Sequence, residues 1–431
     1  MAWEQPLRSP SSEFSWIPVH SVLNFLSRLK LFSNIDTEFC FIYSRPLIRI
    51  FLYFRKNSSK GHMKLTISKE QIINGLQAVQ NIVSARTTLP ILSNVLLRAE
   101  GNRLELTATD LDVTIACSVE ATVSRAGATT LPVKRFFGIV RELASPSIDL
   151  EVDEKQACAI SAGPSYYKMN GLAAEEFPPL PRFAEKKRVI LPQEKLRSML
   201  RKTSFASSTD ETRFVLNGIF FSLKDHKIIM VATDGRRLAL VDEEVDIPPE
   251  SDGEFIIPTK AINELNRLLT TNGQVEVKFT DNQAAFALQD DKGFSVLIIS
   301  KLIEGNYPNY RQVIPSETKE RIALGREELL HALRRAEIMT SEKSNSVKLS
   351  FGQNSLAITA NTPDVGEARE SIAINYKGRD LAIAFNPGYL MDPLKALEDD
   401  EVFLELIDEL SPGVLKINGP FLYVLMPMRM S

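Results

Sequence analysis

Residues suited to redox or metal chemistry are scarce in this chain. Its 431 residues include three cysteines and four histidines. Cys40, Cys117 and Cys158 form no CxxC pair, which argues against a disulfide framework and fits a reducing compartment such as the cytoplasm. His20, His62, His226 and His331 are scattered, which argues against a zinc cluster of Cys and His. The chain also lacks the GxxxxGKS/T phosphate loop, a GxGxxG after a strand, HExxH and GxSxG. No catalytic residue, metal or cofactor is therefore expected. A membrane span needs roughly 20 apolar residues. The run FCFIYSRPLIRIFLYF (39–54) is interrupted by Arg45, Pro46 and Arg49, begins too late for a signal peptide and is followed by no cleavage site.

What is present is ordinary for a globular chain: 44% apolar and 24% charged residues. The length predicts two to four domains at about 100–200 residues each. Net charge is −3, but residues 1–62 carry +4 and the remainder −7. Those first 62 residues are Ser- and aromatic-rich, unlike everything that follows. They are expected to be a disordered extension or a mis-assigned start, with Met63 the natural beginning. The amphipathic VLNFLSRLKLF (22–32) offers a second reading, a helix lying on a membrane surface.

From Met63 onward one pattern occurs three times. Hairpin-like runs stand at 94–112 (NVLLRAEGNRLELTATDLD), 218–237 (GIFFSLKDHKIIMVATDGRR) and 347–364 (VKLSFGQNSLAITANTPD). In each, alternating apolar residues flank a polar turn. A strand running into a helix follows at 130–143, 255–269 and 382–397, then a second hairpin at 148–160, 275–288 and 402–417. Each copy opens with a helix, at 68–83, 192–206 and 325–339. Asp110 to Asp234 is 124 residues and Pro132 to Pro258 is 126, so the period is a whole domain. The expected fold is α+β, three tandem modules with two helices packed on antiparallel sheets. Boundaries are placed at 63–181, 182–315 and 316–431.

Charge follows this pattern. The six helical stretches carry +6, and the rest of 63–431 carries −13. Lysine and arginine commonly solvate helix faces, so charge alone leaves that reading open beside a phosphate-binding one. No base-reading motif is present, so any DNA contact would be independent of sequence.

Several phrases, in order, carry a resemblance: TLPILSN (88–94), LTATDLD (106–112), LNGIFF (216–221), ATDGRRLAL (232–240), GNYPNYRQVIP (305–315) and YVLMPMRM (423–430). They resemble the bacterial DNA polymerase III beta subunit, the sliding clamp family. The resemblance covers 63–431 and leaves 1–62 without a counterpart. It implies a head-to-tail homodimer, a six-domain ring lined by twelve helices, sliding on double-stranded DNA. It also implies a non-catalytic, cytoplasmic processivity subunit of a holoenzyme whose DNA-directed DNA polymerase activity lies elsewhere. Expected partners are the polymerase III alpha subunit, clamp-loader subunits and other clamp-motif proteins, with no membrane.

Site residues carried over by motif fall in three groups. A partner-peptide pocket is expected from Thr233, Gly235, Arg236, Arg237 and Leu238, from Pro308 and Val313, and from Val424, Met426, Pro427, Met428 and Arg429. Asn386, Tyr389 and Leu410 would form a neighbouring subsite. DNA contact is expected from Arg86 and Arg213, with Lys134, Arg135, Arg141, Arg201 and Lys202 by helix position. Where some relatives have two tyrosines after this Arg, the chain has Phe214 and Val215. For the dimer joint, Tyr167 and Met169 are expected to meet a helix around Leu329 and Leu330. Two rivals remain: a peptide scaffold that has lost DNA engagement, and a carboxylate-dependent nuclease or phosphotransferase, which would need converging Asp and Glu residues where the sequence shows only the acidic loop runs 242–244 and 398–401.

Overall fold

Six times among the described residues a short strand runs straight into a helix and three strands follow, with a fourth, Thr122–Arg125, added in the first copy. The computed structural model describes residues 63–83, 89–180, 187–290, 294–341 and 345–429, within the unit Ser58–Ser431. Each of the three modules is thus two copies of a half-module. The helices are α1 (Lys69–Val79), α2 (Val133–Glu142), α3 (Gln193–Thr203), α4 (Thr259–Leu268), α5 (Arg326–Glu337) and α6 (Pro387–Ala396).

The local sequence sets their ends. Pro132, Pro192 and Pro258 stand at the position before α2, α3 and α4, with φ of −57°, −59° and −59°. There proline's missing N–H costs nothing. Ser68 and Asn386 cap α1 and α6 instead, accepting from the amides of Gln71 and Tyr389 at 3.2 and 3.1 Å. Helices α2, α4 and α6 all stop at a leucine in extended conformation, Leu143, Leu269 and Leu397. All three leucines are buried. The stop therefore turns the chain and drives an apolar side chain into the core in one step.

Each helix buries one stripe, for example Ile72, Leu76 and Val79 of α1 and Phe136 and Val140 of α2. Alternate residues of the strands beneath, such as Leu104, Leu106 and Ala108, complete that core. Helices pack in pairs within each module, α1 with α2, α3 with α4 and α5 with α6. They also meet across the modules. Arg267 of α4 donates to the Gln77 and Ala78 carbonyls of α1 at 2.9 and 2.6 Å, and α3 packs on α6. The helices form one continuous layer in the order α2–α1–α4–α3–α6–α5.

The sheets are shared in a way the sequence pattern does not reveal. Val113–Glu120 of the first module pairs antiparallel with Ser295–Lys301 of the second, with Ile115 opposite Ile298. Arg237–Glu244 of the second pairs with Leu422–Leu425 of the third, with Leu238 opposite Val424. Two eight-stranded sheets result. Each is built as a leading strand, three strands, three strands in reverse and a second leading strand. The remaining sheets are half-sized. One ends on Ser165–Asn170 and the other on Gly366–Ala373.

Two sequence expectations change. Sequence alternation gave only a hairpin per half-module and missed the third strand. The acidic run Asp242-Glu243-Glu244 is not a loop but the end of the strand Arg237–Glu244. There Lys227 lies 3.5 Å from Asp242, and Lys195 lies 3.3 Å from Glu243. Among the described residues, no group of three or more His, Cys, Asp or Glu could hold a metal. None of the described helices is long and apolar enough to cross a membrane.

Candidate partner-binding cleft and nucleic-acid face

The cleft begins with a turn. Lys227–Thr233 ends at Asp234-Gly235-Arg236, and the chain returns as Arg237–Glu244. Asp234 Oδ1 accepts from the amides of Arg236 and Arg237 at 2.9 and 3.1 Å. The Thr233 hydroxyl donates to the Arg237 carbonyl at 2.6 Å and accepts from the Gly235 amide at 3.1 Å. Gly235 has φ +85°, a region glycine enters without strain. Threonine and aspartate at this spacing are therefore a turn device. The first module repeats it: Asp110 Oδ1 accepts from the amides of Asp112 and Val113 at 3.1 and 2.8 Å.

Leu238 and Val424, opposite each other in the ladder, are 3% and 2% exposed. With Phe220, Val231 and Ile256 they form a second apolar cluster, separate from the main core. Tyr307, Tyr310 and Ile314 pack on it, with the Tyr307 ring 5.1 Å from that of Phe220. Around this floor the apolar side chains are open. Val313, Met426 and Met428 are 41%, 42% and 38% exposed, and Pro308 and Arg429 are exposed too. The tail is held in place by backbone bonds, Met426 N–H to the Arg236 carbonyl at 3.0 Å and Met428 N–H to the Ala384 carbonyl at 2.7 Å. Pro427 between them is part-buried. Exposed methionine beside a fixed apolar floor suits an extended apolar ligand, because the thioether chain adapts to shape.

Three of the expected pocket residues lie outside this apolar cluster. Arg237 points to the opposite face of the sheet from Leu238, and its side chain is 10% exposed. It donates to Asp234 Oδ2 at 3.1 Å, to the Phe205 carbonyl at 2.6 Å and to Asp392. Its guanidinium lies 4.3 Å from the Tyr389 ring centre. Burial works against the Arg237 charge, but the Asp392 hydrogen bond, with Tyr423 and Asp234, more than offsets it and raises its pKa. Asn386 is occupied as the cap of α6. Leu410 lies on the loop after Glu401–Leu406, 83% exposed. Motif matching missed Phe205, Asp392, Phe220 and Tyr307. Asp392 was recoverable, since it follows Tyr389 by three residues on one helix face.

On the helix layer, Lys134 and Arg135 are exposed, with no ion-pair partner among the described residues. Arg141 pairs with its neighbour Glu142 at 2.9 Å. Arg201 pairs with Glu398 across the second and third modules, and Lys202 is part-buried. Arg213 is half exposed and lies 3.3 Å from Asp210. Arg86 lies outside the described residues. At the first module's free edge, Tyr166 and Tyr167 are 64% and 41% exposed, and Met169 is part-buried. Leu329 and Leu330 are a correction. At 2% and 3% exposure they belong to the core of their own module and offer no face to a second copy.

Three tandem modules with one helix layer and a cleft at the second junction define a clamp-type fold. The family models for the N-terminal, central and C-terminal domains of the DNA polymerase III beta subunit match residues 63–181, 190–309 and 311–429. A beta sliding clamp of Chlamydia muridarum is 37% identical over 368 residues, covering 85% of this chain and 99% of the relative. A clamp of Bartonella birtlesii, crystallised bound to griselimycin, superposes with a TM-score of 0.80 at 35% identity, covering 86% of this chain and all of that one. The Bacillus subtilis clamp structure gives 0.81 at 32% identity, with the same coverage. The chain belongs to the DNA polymerase III beta subunit family, the bacterial sliding clamps.

Proposed function

We propose that this chain closes head-to-tail with a second copy into a six-module ring around duplex DNA, and that its cleft tethers the replicative polymerase. The observation that carries this is the strand order at the two ends. Both eight-stranded sheets join the outermost strands of two three-strand sets. Two such strands are left over, Ser165–Asn170 in the first module and Gly366–Ala373 in the third. Antiparallel pairing of one with its complement on a second copy would rebuild the same sheet, a heterologous contact that closes after two steps. Twelve helices would then line the hole, and Lys134, Arg135 and Arg213 would meet phosphates diffusely, as sliding requires.

Domain limits of 63–181, 182–315 and 316–431 follow from this reading. The cleft would receive short segments of the polymerase III alpha subunit, clamp-loader subunits and other clamp-motif proteins in the cytoplasm, with no catalysis by the chain itself. The test is loading onto nicked circular DNA by a clamp loader, then linearisation. The ring should remain on the circle and run off the linear ends. Retention on linear DNA would count against sliding, failure to load would favour a peptide scaffold, and metal-dependent cleavage of DNA would favour a nuclease.

Reversing the charge of Lys134 and Arg135 together should weaken DNA binding at low salt. The slope of log affinity against log salt should fall by about 2, roughly one for each phosphate that is no longer neutralised. An unchanged slope would remove these two residues from the DNA face.

A further inference from the structure

The DNA-side loop and the cleft share a side chain. Arg213 lies in the short 3-10 helix Glu211–Leu216, where its own backbone (φ −112°, ψ 55°) departs from helical values. Its Nη1 donates to the Asp234 carbonyl at 3.1 Å. Asp234 is the residue whose carboxylate organises the cleft turn. The approach is close: a Cβ on Gly235 would stand 2.8 Å from Arg213 Nη1. Two residues further on, Val215 packs on the cleft's apolar cluster. A Cβ on Gly305 would stand 2.9 Å from Val215, at the start of the segment that carries Pro308 and Val313. The loop thus touches both walls of the cleft, while the Arg213 side chain remains 50% exposed.

We propose that Arg213 is a positioning residue of the cleft, and that DNA phosphate and the cleft ligand compete for its guanidinium. This rests on the DNA face and cleft assigned above. A phosphate engaging the guanidinium through two N–H groups takes the donor from the Asp234 carbonyl and leaves the turn less ordered. A ligand seated against the ordered turn holds Arg213 in place and withholds it from DNA. The effect is reciprocal, because coupling between two binding equilibria acts equally in both directions. Its expected size is the worth of one hydrogen bond, roughly three- to tenfold in affinity.

The experiment is a titration of griselimycin into the full chain by calorimetry, with and without a saturating primed DNA hairpin, and the converse titration of DNA. In the unmodified chain each ligand should weaken the other by the same three- to tenfold factor. In Arg213→Gln the two should bind independently, with griselimycin still bound. Gly235→Ala, which pushes Nη1 away and also strains the turn at φ +85°, should weaken griselimycin without DNA present. Independent or mutually favourable binding in the unmodified chain would overturn the inference and leave the cleft and DNA face standing. So would antagonism that survives in Arg213→Gln. If griselimycin or DNA fails to bind the unmodified chain at all, the underlying reading fails, and this inference with it.

Discussion

Glutamate in place of both Tyr166 and Tyr167 should leave the chain monomeric in solution. The strand that carries them, Ser165–Asn170, has no inside and outside, because both tyrosines are exposed although they point to opposite faces. A sheet edge with two uncovered aromatic faces and free backbone groups is a pairing surface. In the ring both tyrosines would be covered, and a carboxylate in either place would lose its water without gaining a partner. That costs about 2–4 kcal/mol, which raises the dimer dissociation constant by roughly 30- to 900-fold. Light scattering after gel filtration should give twice 48.3 kDa for the unmodified chain and a single copy for the variant. Melting should shift little, since neither tyrosine is buried in the single chain. A variant that remains dimeric would place the joint elsewhere.

Arg237→Ala should be the most damaging single truncation near the cleft, although the residue does not line it. Removing the guanidinium leaves the Asp392 carboxylate with only Lys395 at 3.8 Å, and takes a donor from Asp234 and from the Phe205 carbonyl. Breaking a fully buried pair costs about 3–5 kcal/mol. With Asp392 30% exposed, water recovers part of that, and about 2–3 kcal/mol is expected here. Arg237→Lys keeps the charge but not the planar fork, and should lose roughly half as much. A three-module chain does not unfold in one step, so hydrogen exchange is the better measure. Protection should fall at Lys227–Glu244 and Leu422–Leu425 and hold in the first module. Unchanged protection at those strands would show that Arg237 is not the tie between α6 and the cleft turn.

The sequence made some of this legible and hid the rest. Helix positions were readable because apolar spacing and the prolines at 132 and 258 act locally. The turn at Asp234 was readable for the same reason, since aspartate and threonine satisfy amides two and three residues away. Pairing between modules was not readable. Nothing within Val113–Glu120 announces that its partner is Ser295–Lys301, nearly two hundred residues on. Motif resemblance located the cleft but could not assign faces. Leu238 and Arg237 are adjacent in sequence, and strand alternation sends one to the floor and the other beneath it. Leu329 and Leu330 show the same limit, because an apolar helix stripe does not say whether its own module or another covers it.

The ladders that cross from module to module have a consequence for how such a chain can be divided. Excising the central module would strip the partners from Ser295–Lys301 and from Arg237–Glu244 at once, leaving two raw edges with apolar flanks. Such a fragment would be prone to aggregate rather than behave as a domain. Three units that look interchangeable by descent have become one continuous fabric. Only at Ser165–Asn170 and Gly366–Ala373 does a three-strand set lack a neighbouring set, and these are the two borders at which a second chain is expected to be sewn on.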